Sequence, residues 1–383
     1  MSAYLIPIRT AVLTFPFLAL IIALPFLIVQ YRRFGSFTFS RAFVLYTFVF
    51  YMLTAYFMVI LPLPAREWVA QLTTQRYQLV PFTAVREFLN TSGFVFANPR
   101  TWLQAIRSAS FLQPVFNLLL TLPFGFYLRY YFRRNWRQVL LMSFGLSLFF
   151  ELTQLSGLYF IYPRPYRLFD VDDLIVNTAG GMIGYYLTPL IRLAFPNRDK
   201  MDQRSYLRGQ KVGWVRRWLA WFIDYAIYGA FVRFMLILLL HNALGLPNSV
   251  VTPLSYVLMI ALVFILPSLM GGATLGKRIV RIKVQLLPET KGTWRIPLRF
   301  ALLYYFCLPV WSWWWQELSH VLTVISARTE LNLFIVAILS LLVLFFIANF
   351  IWTLWQRDGR LFYDDWAHTR QSSTVLPKQK VNE

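Results

Sequence analysis

The chain has almost none of the residues on which disulfide-rich domains and metal centres depend. Its one cysteine, Cys307, lies in an apolar stretch, so no intramolecular disulfide is expected. The histidines His241, His320 and His368 are far apart and show no metal-ligand spacing. No convincing nucleophile triad is present either. The sequence therefore predicts no metal and no cofactor, and an enzyme is the least favoured function class, although it stays open.

Charged residues are also scarce, at 14% of the 383 residues, against about 25% in a typical soluble domain. Hydrophobic residues make up 58%, and the mean hydropathy is +0.54. Several apolar runs reach the roughly 20 residues that span a bilayer core. We therefore predict an all-α fold, a polytopic integral membrane bundle of about nine transmembrane helices. The predicted spans are residues 11–30, 42–62, 109–131, 138–158, 172–194, 218–240, 253–271, 299–316 and 331–355.

Acidic residues are few, at 16 against 37 Lys and Arg, which gives a net charge of +21. The positive-inside rule explains this excess better than nucleic-acid binding does, because the basic clusters follow alternate spans. These clusters are Arg32 with Arg33, residues 133–137, residues 198–217, residues 277–299 and residue 357 onward. We therefore expect a multi-pass protein of the bacterial plasma membrane, with the N-terminus outside and the C-terminus inside. Membrane lipids are the expected partners, nucleic acid is not, and the oligomeric state is undetermined.

A polar, basic stretch near residues 196–215 divides the chain into two halves without a detectable internal repeat. We predict a five-span membrane domain over residues 1–195 and a basic cytoplasmic linker over 196–211. A four-span membrane domain over residues 212–375 and a cytoplasmic tail over 376–383 complete the predicted organisation.

Polar side chains on three spans of the first half are predicted to share one depth in the membrane. Glu151 lies about six residues from the outer end of its span, or about 9 Å at 1.5 Å per residue. Asn177 and Asn117 lie at a similar depth, because each is a few residues from the outer end of its own span. The spacing i, i+4, i+7 of Ser147, Glu151 and Gln154 places these side chains on one helical face.

The loop before residue 172 adds Arg164, Arg167, Asp170, Asp172 and Asp173 to this cluster. We expect Arg167 to pair with Glu151, because a planar guanidinium suits a carboxylate or a phosphate. One interpretation is a structural polar network that binds nothing. The other, which we favour, is an outward-facing pocket for an amphiphile, in which Arg164 and Arg167 meet anionic groups. Its predicted ligand-binding residues are Glu151, Gln154, Arg164, Arg167, Asp170, Asp173, Asn177 and Asn117.

The first half resembles the VanZ-like family of integral membrane proteins over roughly residues 10–195. The motif is Glu151-x-x-Gln154, then Arg167-x-x-Asp170-x-x-Asp173-x-x-x-Asn177-x-x-Gly180-x-x-x-Gly184. Gly180 and Gly184 have the spacing that lets a second helix approach closely. The family's named member is associated with low-level resistance to the lipoglycopeptide teicoplanin. The resemblance implies a link to envelope lipids, a lipid-linked wall precursor or such an antibiotic.

The second half resembles the RDD family, named for one Arg and two Asp residues, over about residues 212–375. The matching positions are Arg217, Asp224 and Asp365, and Asp364 is the alternative second acid. Some members are linked to sodium–proton exchange, which would give Asp224 a cation- or proton-binding role. The other interpretation is that Asp224 pairs with Arg217 and only stabilises the helix ends. A transporter that moves a cation, a proton or a small amphiphile between the two polar clusters is therefore the alternative function.

Overall fold

The computed structural model describes residues 2–288, 290–323, 330–355 and 359–375, so the predicted tail over 376–383 lies outside the described residues. The chain divides into two compact units. The first consists of Met1–Leu24 and Thr38–Asp202, and the second of Pro25–Phe37 and Gln203–Glu383.

The first unit is built mainly from long helices, with short helices and a two-residue strand pair between them. Its elements are α1 (Ser2–Phe34, which extends into the second unit), α2 (Phe39–Ile60), α3 (Arg66–Ala70), β1 (Tyr77–Gln78), α4 (Thr83–Thr91), α5 (Trp102–Ile106), α6 (Ala109–Tyr130), α7 (Trp136–Leu155), α8 (Gly157–Phe160), β2 (Phe169–Asp170), α9 (Val171–Ile191) and α10 (Arg198–Gly209, which also extends into the second unit). The last of these shows that the predicted linker contains a helix. Strands β1 and β2 are parallel, with Tyr77 opposite Phe169 and Gln78 opposite Asp170.

The second unit also consists mainly of helices, and π-helical segments interrupt several of them. Its elements are α11 (Trp214–Phe222), α12 (Ala230–Leu238), α13 (Asn248–Ile260), α14 (Leu266–Leu269), α15 (Leu275–Ile279), β3 (Ile282–Leu286), α16 (Arg295–Ala301), α17 (Leu308–Thr323), α18 (Glu330–Trp355), α19 (Phe362–Trp366) and β4 (Thr369–Ser373). The π-helical segments are Ile223–Gly229, Leu239–Ala243, Ala261–Ile265 and Leu302–Cys307. Strands β3 and β4 pair antiparallel, from Ile282 opposite Ser373 to Leu286 opposite Thr369.

Large apolar side chains cover the outside of the long helices. Leu20 is 75% exposed, Phe17 73% and Trp355 87%, although a water-soluble domain would hide most residues of this kind. The described residues contain eight helices long and apolar enough to cross a membrane: Leu5–Phe34, Phe39–Ile60, Ala109–Tyr130, Trp136–Leu155, Val171–Ala194, Trp214–Ala243, Asn248–Leu269 and Glu330–Trp355. The prediction of a polytopic helical membrane protein is confirmed.

One predicted span is not among these eight helices. Residues 299–316 are helical, within the run of α16, a π-helical turn and α17, but this run is less apolar than the others. Four tryptophans between residues 311 and 315, followed by Gln316 and Glu317, lower its hydropathy. Tryptophan favours the membrane–water interface over the hydrocarbon core, so the span predicted over residues 299–316 stays a prediction.

Packing between α6 and α9 is close enough that side chains are excluded from parts of the contact. A Cβ atom on Gly184 would lie 1.9 Å from the carbonyl oxygen of Leu122, and one on Gly125 would lie 1.7 Å from that of Gly181. The close approach predicted from the spacing of Gly180 and Gly184 is therefore confirmed. It brings the polar residues of the two helices within hydrogen-bond distance of each other.

Candidate functional site

A cavity of about 660 Å³ lies within the first unit, between α2, α6, α7 and the segment that leads into α9. Seven of the eight predicted ligand-binding residues line it: Asn117, Glu151, Gln154, Arg167, Asp170, Asp173 and Asn177. Leu112, Phe116, Leu120 and Phe150 are among the apolar residues of the same wall. Polar residues that lie up to 60 positions apart in the sequence thus meet beside an apolar surface.

Arg164 is the predicted residue that does not line this cavity. Its guanidinium donates instead to the backbone carbonyl of Thr74. Of the two arginines that the sequence offered, Arg167 is therefore the one at the cavity. Gln113, one turn before Asn117 on α6, lines the cavity as well and belongs to the same polar face.

Glu151 is a buried acid, only 2% exposed, that binds the segment leading into α9. Its Oε2 accepts a hydrogen bond of 2.9 Å from the backbone N–H of Asp170. The Asp170 carboxylate in turn caps α9, because its Oδ1 accepts the N–H of Asp172 at 2.9 Å. Burial raises the pKa of Asp170 above its usual value, and the hydrogen bond from Asp172 opposes part of that rise.

The parallel pair β1–β2 positions this capping residue, since Asp170 lies opposite Gln78 in the ladder. Asp172 is used differently: its two carboxylate oxygens accept the N–H groups of Phe82 and Ala84, at 2.6 and 2.7 Å. These contacts anchor the start of α4, so Asp172 stabilises the loop and does not line the cavity. A two-residue strand pair and a distant helix cap carry no periodic signal, which is why the sequence did not predict them.

Hydrogen bonds join the polar faces of α6, α7 and α9. Asn117 donates to Asp173 Oδ1 at 2.6 Å, and the hydroxyl of Thr121 donates to the carbonyl of Asn177 at 2.7 Å. Asn177 Nδ2 donates to the hydroxyl of Ser147 at 3.0 Å. Its other amide atom, Oδ1, is buried and accepts no hydrogen bond. The polar faces of the three helices thus meet, and the amide oxygen of Asn177 stays unsatisfied among them.

Arg167 and Gln154 bind the C-terminal end of α2. Arg167 donates to the carbonyl of Leu61 at 2.6 Å and more weakly to that of Met58, while Gln154 Nε2 donates to Val59 at 3.2 Å. The last carbonyls of a helix lack partners within the helix and carry partial negative charge, so a guanidinium suits this position. Arg167 therefore holds α2 against the cavity in addition to lining it.

The second polar cluster forms around Asp224 in the second unit. This side chain is fully buried on the π-helical segment Ile223–Gly229, and it accepts hydrogen bonds from the Thr274 hydroxyl and from the Gly276 N–H, the latter at 2.6 Å. The Lys277 ammonium lies near enough to interact electrostatically with Asp224. Burial nevertheless lowers the pKa of Lys277 to about 8, because desolvation outweighs the attraction of the acid.

The second acid of this cluster is Asp364, and Asp365 lies elsewhere. Asp364 is 1% exposed and forms an ion pair with the equally buried Arg299, whereas Asp365 is 51% exposed and pairs with Arg360 at 3.2 Å. Adjacent residues of α19 point in different directions, so only one of the two acids can face inward.

Arg217 lies over the ring of Trp214 and donates to the carbonyl of Gly359, and it interacts electrostatically with Lys277. The hydrogen bonds given to the Asp224 carboxylate come from Thr274 and Gly276. The sequence placed Lys277 only within the basic cluster of residues 277–299 and did not predict its position beside Asp224. Lys277 follows a glycine and comes shortly before β3, and this pattern was the feature of the sequence that could have indicated its role.

Among the described residues, no group of three or more His, Cys, Asp or Glu side chains is arranged to hold a metal ion. The two clusters instead consist of carboxylates paired with amide, hydroxyl and basic groups. Ionised carboxylates only accept hydrogen bonds, so both clusters offer acceptors to hydrogen-bond donors.

The two units correspond to two separate family matches. The model of the VanZ/LLP1 family matches residues 48–192, which include the seven predicted residues that line the cavity. The model of the RDD family matches residues 211–368, which include Asp224, Lys277, Arg299 and Asp364. No curated protein and no solved structure matches the chain. The chain is therefore a multi-pass membrane protein composed of a VanZ/LLP1 domain followed by an RDD-family domain.

Proposed function

We propose that the VanZ/LLP1 domain binds an amphiphile in the cavity that contains Glu151 and Asn177. The observation that carries this proposal is the composition of the wall, where buried polar groups lie beside Leu112, Phe116 and Phe150. A ligand with a polar end and an acyl chain satisfies both parts, and a cavity of about 660 Å³ is within the range of ligand sites. A purely structural network would not need this volume beside its polar groups.

The candidates are an envelope lipid, a lipid-linked wall precursor and a lipoglycopeptide, bound on the exterior side of a bacterial plasma membrane. Binding would alter the envelope or reduce antibiotic access, giving resistance of the teicoplanin type. This part of the proposal rests on the family's association and on the predicted orientation, in which the N-terminus is outside.

Filling the cavity tests the proposal. We expect Leu112→Trp to lower the amount of co-purified lipid at least about tenfold, since the indole would occupy the space beside the polar wall. Leu119→Trp is the matched control, because Leu119 lies on the same helix, is 50% exposed and does not line the cavity. Native mass spectrometry of both variants measures the bound lipid. Equal occupancy in Leu112→Trp, Leu119→Trp and the unchanged protein would contradict an amphiphile site in this cavity.

Transport is the second candidate function, and the buried charges of the RDD-family domain favour it. Asp224 and Lys277 interact away from water, so a change in the protonation of either alters the charge of the site. A buried ionisable pair in a membrane domain is a common feature of ion and proton pathways.

Reconstituted liposomes with a pH or sodium gradient test this candidate. We expect the unchanged protein to collapse the gradient faster than empty liposomes and Asp224→Asn to reduce that rate at least tenfold. Asp365→Asn is the control, because this acid is half exposed and outside the cluster. Identical rates with and without protein would remove transport as a function.

A further inference from the structure

The cavity wall carries more acids than bases. Glu151, Asp170 and Asp173 contribute three carboxyl groups, and Arg167 contributes the one basic side chain. Even a complete ion pair with Arg167 would balance only one of the three. Carboxylates in a partly desolvated cavity are costly without a counter-charge, so the wall is suited to a positive ligand.

Hydrogen-bond acceptors are also in excess over donors. Each of the three carboxyl groups accepts one N–H through one of its oxygens: Glu151 from Asp170, Asp170 from Asp172, and Asp173 from Asn117. An ionised carboxylate accepts at about four sites and donates at none. Arg167 and Gln154 donate hydrogen bonds to carbonyls at the C-terminal end of α2. The wall therefore has room for several more donors.

Asn177 gives an independent indication of a donor. It lines the cavity and is only 4% exposed, and its Oδ1 accepts no hydrogen bond although its Nδ2 is bound by Ser147. A buried amide oxygen without a partner is unfavourable, because it has lost its hydrogen bonds to water and gained none from the protein. The hydroxyl of Ser143 on α7 is also buried without a partner, but Ser143 does not line the cavity. Asn177 is therefore the position in the cavity wall where an added N–H group would relieve a deficit.

We propose that the polar end of the amphiphile is a protonated amine, held by Glu151, Asp173 and Asn177. An ammonium group supplies three N–H donors and one positive charge, which are the two properties that this wall lacks. The alkyl part of the ligand lies along Leu112, Phe116 and Phe150. This proposal rests on the proposed amphiphile site and reverses the expectation that the arginines meet an anionic head group.

Four amphiphiles with the same dodecyl chain test the head group: dodecylamine, dodecyltrimethylammonium, dodecanol and dodecyl phosphate. The full-length protein is titrated with each, and binding is measured by native mass spectrometry. We expect dodecylamine to bind at least tenfold more tightly than dodecanol and dodecyl phosphate. Dodecyltrimethylammonium, which has the charge without N–H donors, is expected to bind with intermediate affinity. Equal affinities, or the tightest binding by dodecyl phosphate, would overturn the proposal.

Isosteric variants assign the effect to the wall. Asp173→Asn and Glu151→Gln each remove one negative charge and keep an acceptor oxygen, and we expect each to weaken dodecylamine binding at least tenfold relative to dodecanol. Glu67→Gln removes the same charge from an exposed position of the same unit. We expect this control to leave the affinities for dodecylamine and dodecanol unchanged. Because the measured quantity is the ratio of two ligands on one protein, a general loss of folded protein does not imitate the effect. An unchanged ratio in both cavity variants would contradict the proposal.

The proposed function and this inference fail in different ways. If Leu112→Trp leaves the binding of all four probes unchanged, the cavity is not an amphiphile site. If Leu112→Trp abolishes binding but the probes do not differ, the site stands and the assignment of an amine is wrong.

Discussion

Replacing Gly184 by alanine is expected to destabilise the VanZ/LLP1 domain strongly. The new Cβ would lie 1.9 Å from the carbonyl oxygen of Leu122 and 3.1 Å from the N–H nitrogen of Phe126, and both atoms belong to the backbone. No rotamer change relieves such a contact, so α6 and α9 must separate. Overpacking costs about 1–3 kcal/mol when side chains can adjust, and we expect the upper end or more here.

Separation of these helices also lengthens the hydrogen bonds between Asn117 and Asp173 and between Thr121 and Asn177. We expect the melting temperature of purified Gly184→Ala to fall by roughly 10 °C, or the protein to accumulate as aggregate. The measurement is the fraction that elutes as a single species in size-exclusion chromatography after heating in detergent.

Gly145→Ala provides the matched control. Gly145 lies on α7 in the same domain, and a Cβ atom there would have no heavy atom within 4 Å. Alanine is preferred over glycine in a helix by up to about 1 kcal/mol, so this variant should be as stable as the unchanged protein or slightly more stable. Equal melting temperatures for Gly184→Ala and Gly145→Ala would contradict the close packing of α6 and α9.

Asp364→Ala is expected to destabilise the RDD-family domain strongly, whereas Asp365→Ala should have little effect. Removal of Asp364 leaves the guanidinium of Arg299 buried without its acid, and breaking a buried pair in this way costs about 3–5 kcal/mol. Loss of the exposed pair between Asp365 and Arg360 costs about 0–1 kcal/mol, because water screens it.

These neighbouring substitutions remove the same side chain and the same charge, so each controls for the other. Thermal unfolding in detergent measures both. A larger loss of stability in Asp365→Ala than in Asp364→Ala would show that the buried acid has been assigned to the wrong residue.

The sequence predicted those features of the site that depend on local periodicity. Glu151 and Gln154 share a helical face because they are three residues apart, and Asn117, Asp173 and Asn177 follow the same rule on their own helices. The spacing of Gly180 and Gly184 predicted the close approach that places these faces together. A count of residues from the span ends was enough to predict a shared depth, since the rise of a helix is constant.

Features that depend on contacts between distant segments were not predictable in this way. Nothing near Arg164 and Arg167 in the sequence distinguishes the arginine that binds Thr74 from the one that binds the end of α2. The choice between Asp364 and Asp365 depends on where Arg299 lies, 65 residues away.

The sequence by itself determined that the chain crosses a membrane, which residues of each helix are polar, and which two families its halves resemble. These properties follow from composition, from the 3.6-residue period and from motif spacing, all of which are local. The tertiary structure alone decided that the polar faces line a cavity in which hydrogen-bond acceptors outnumber donors. It also decided that Asn177 keeps an unsatisfied oxygen and that Asp364 is the buried acid. Volumes and unsatisfied groups are properties of several segments at once, so no single stretch of residues encodes them.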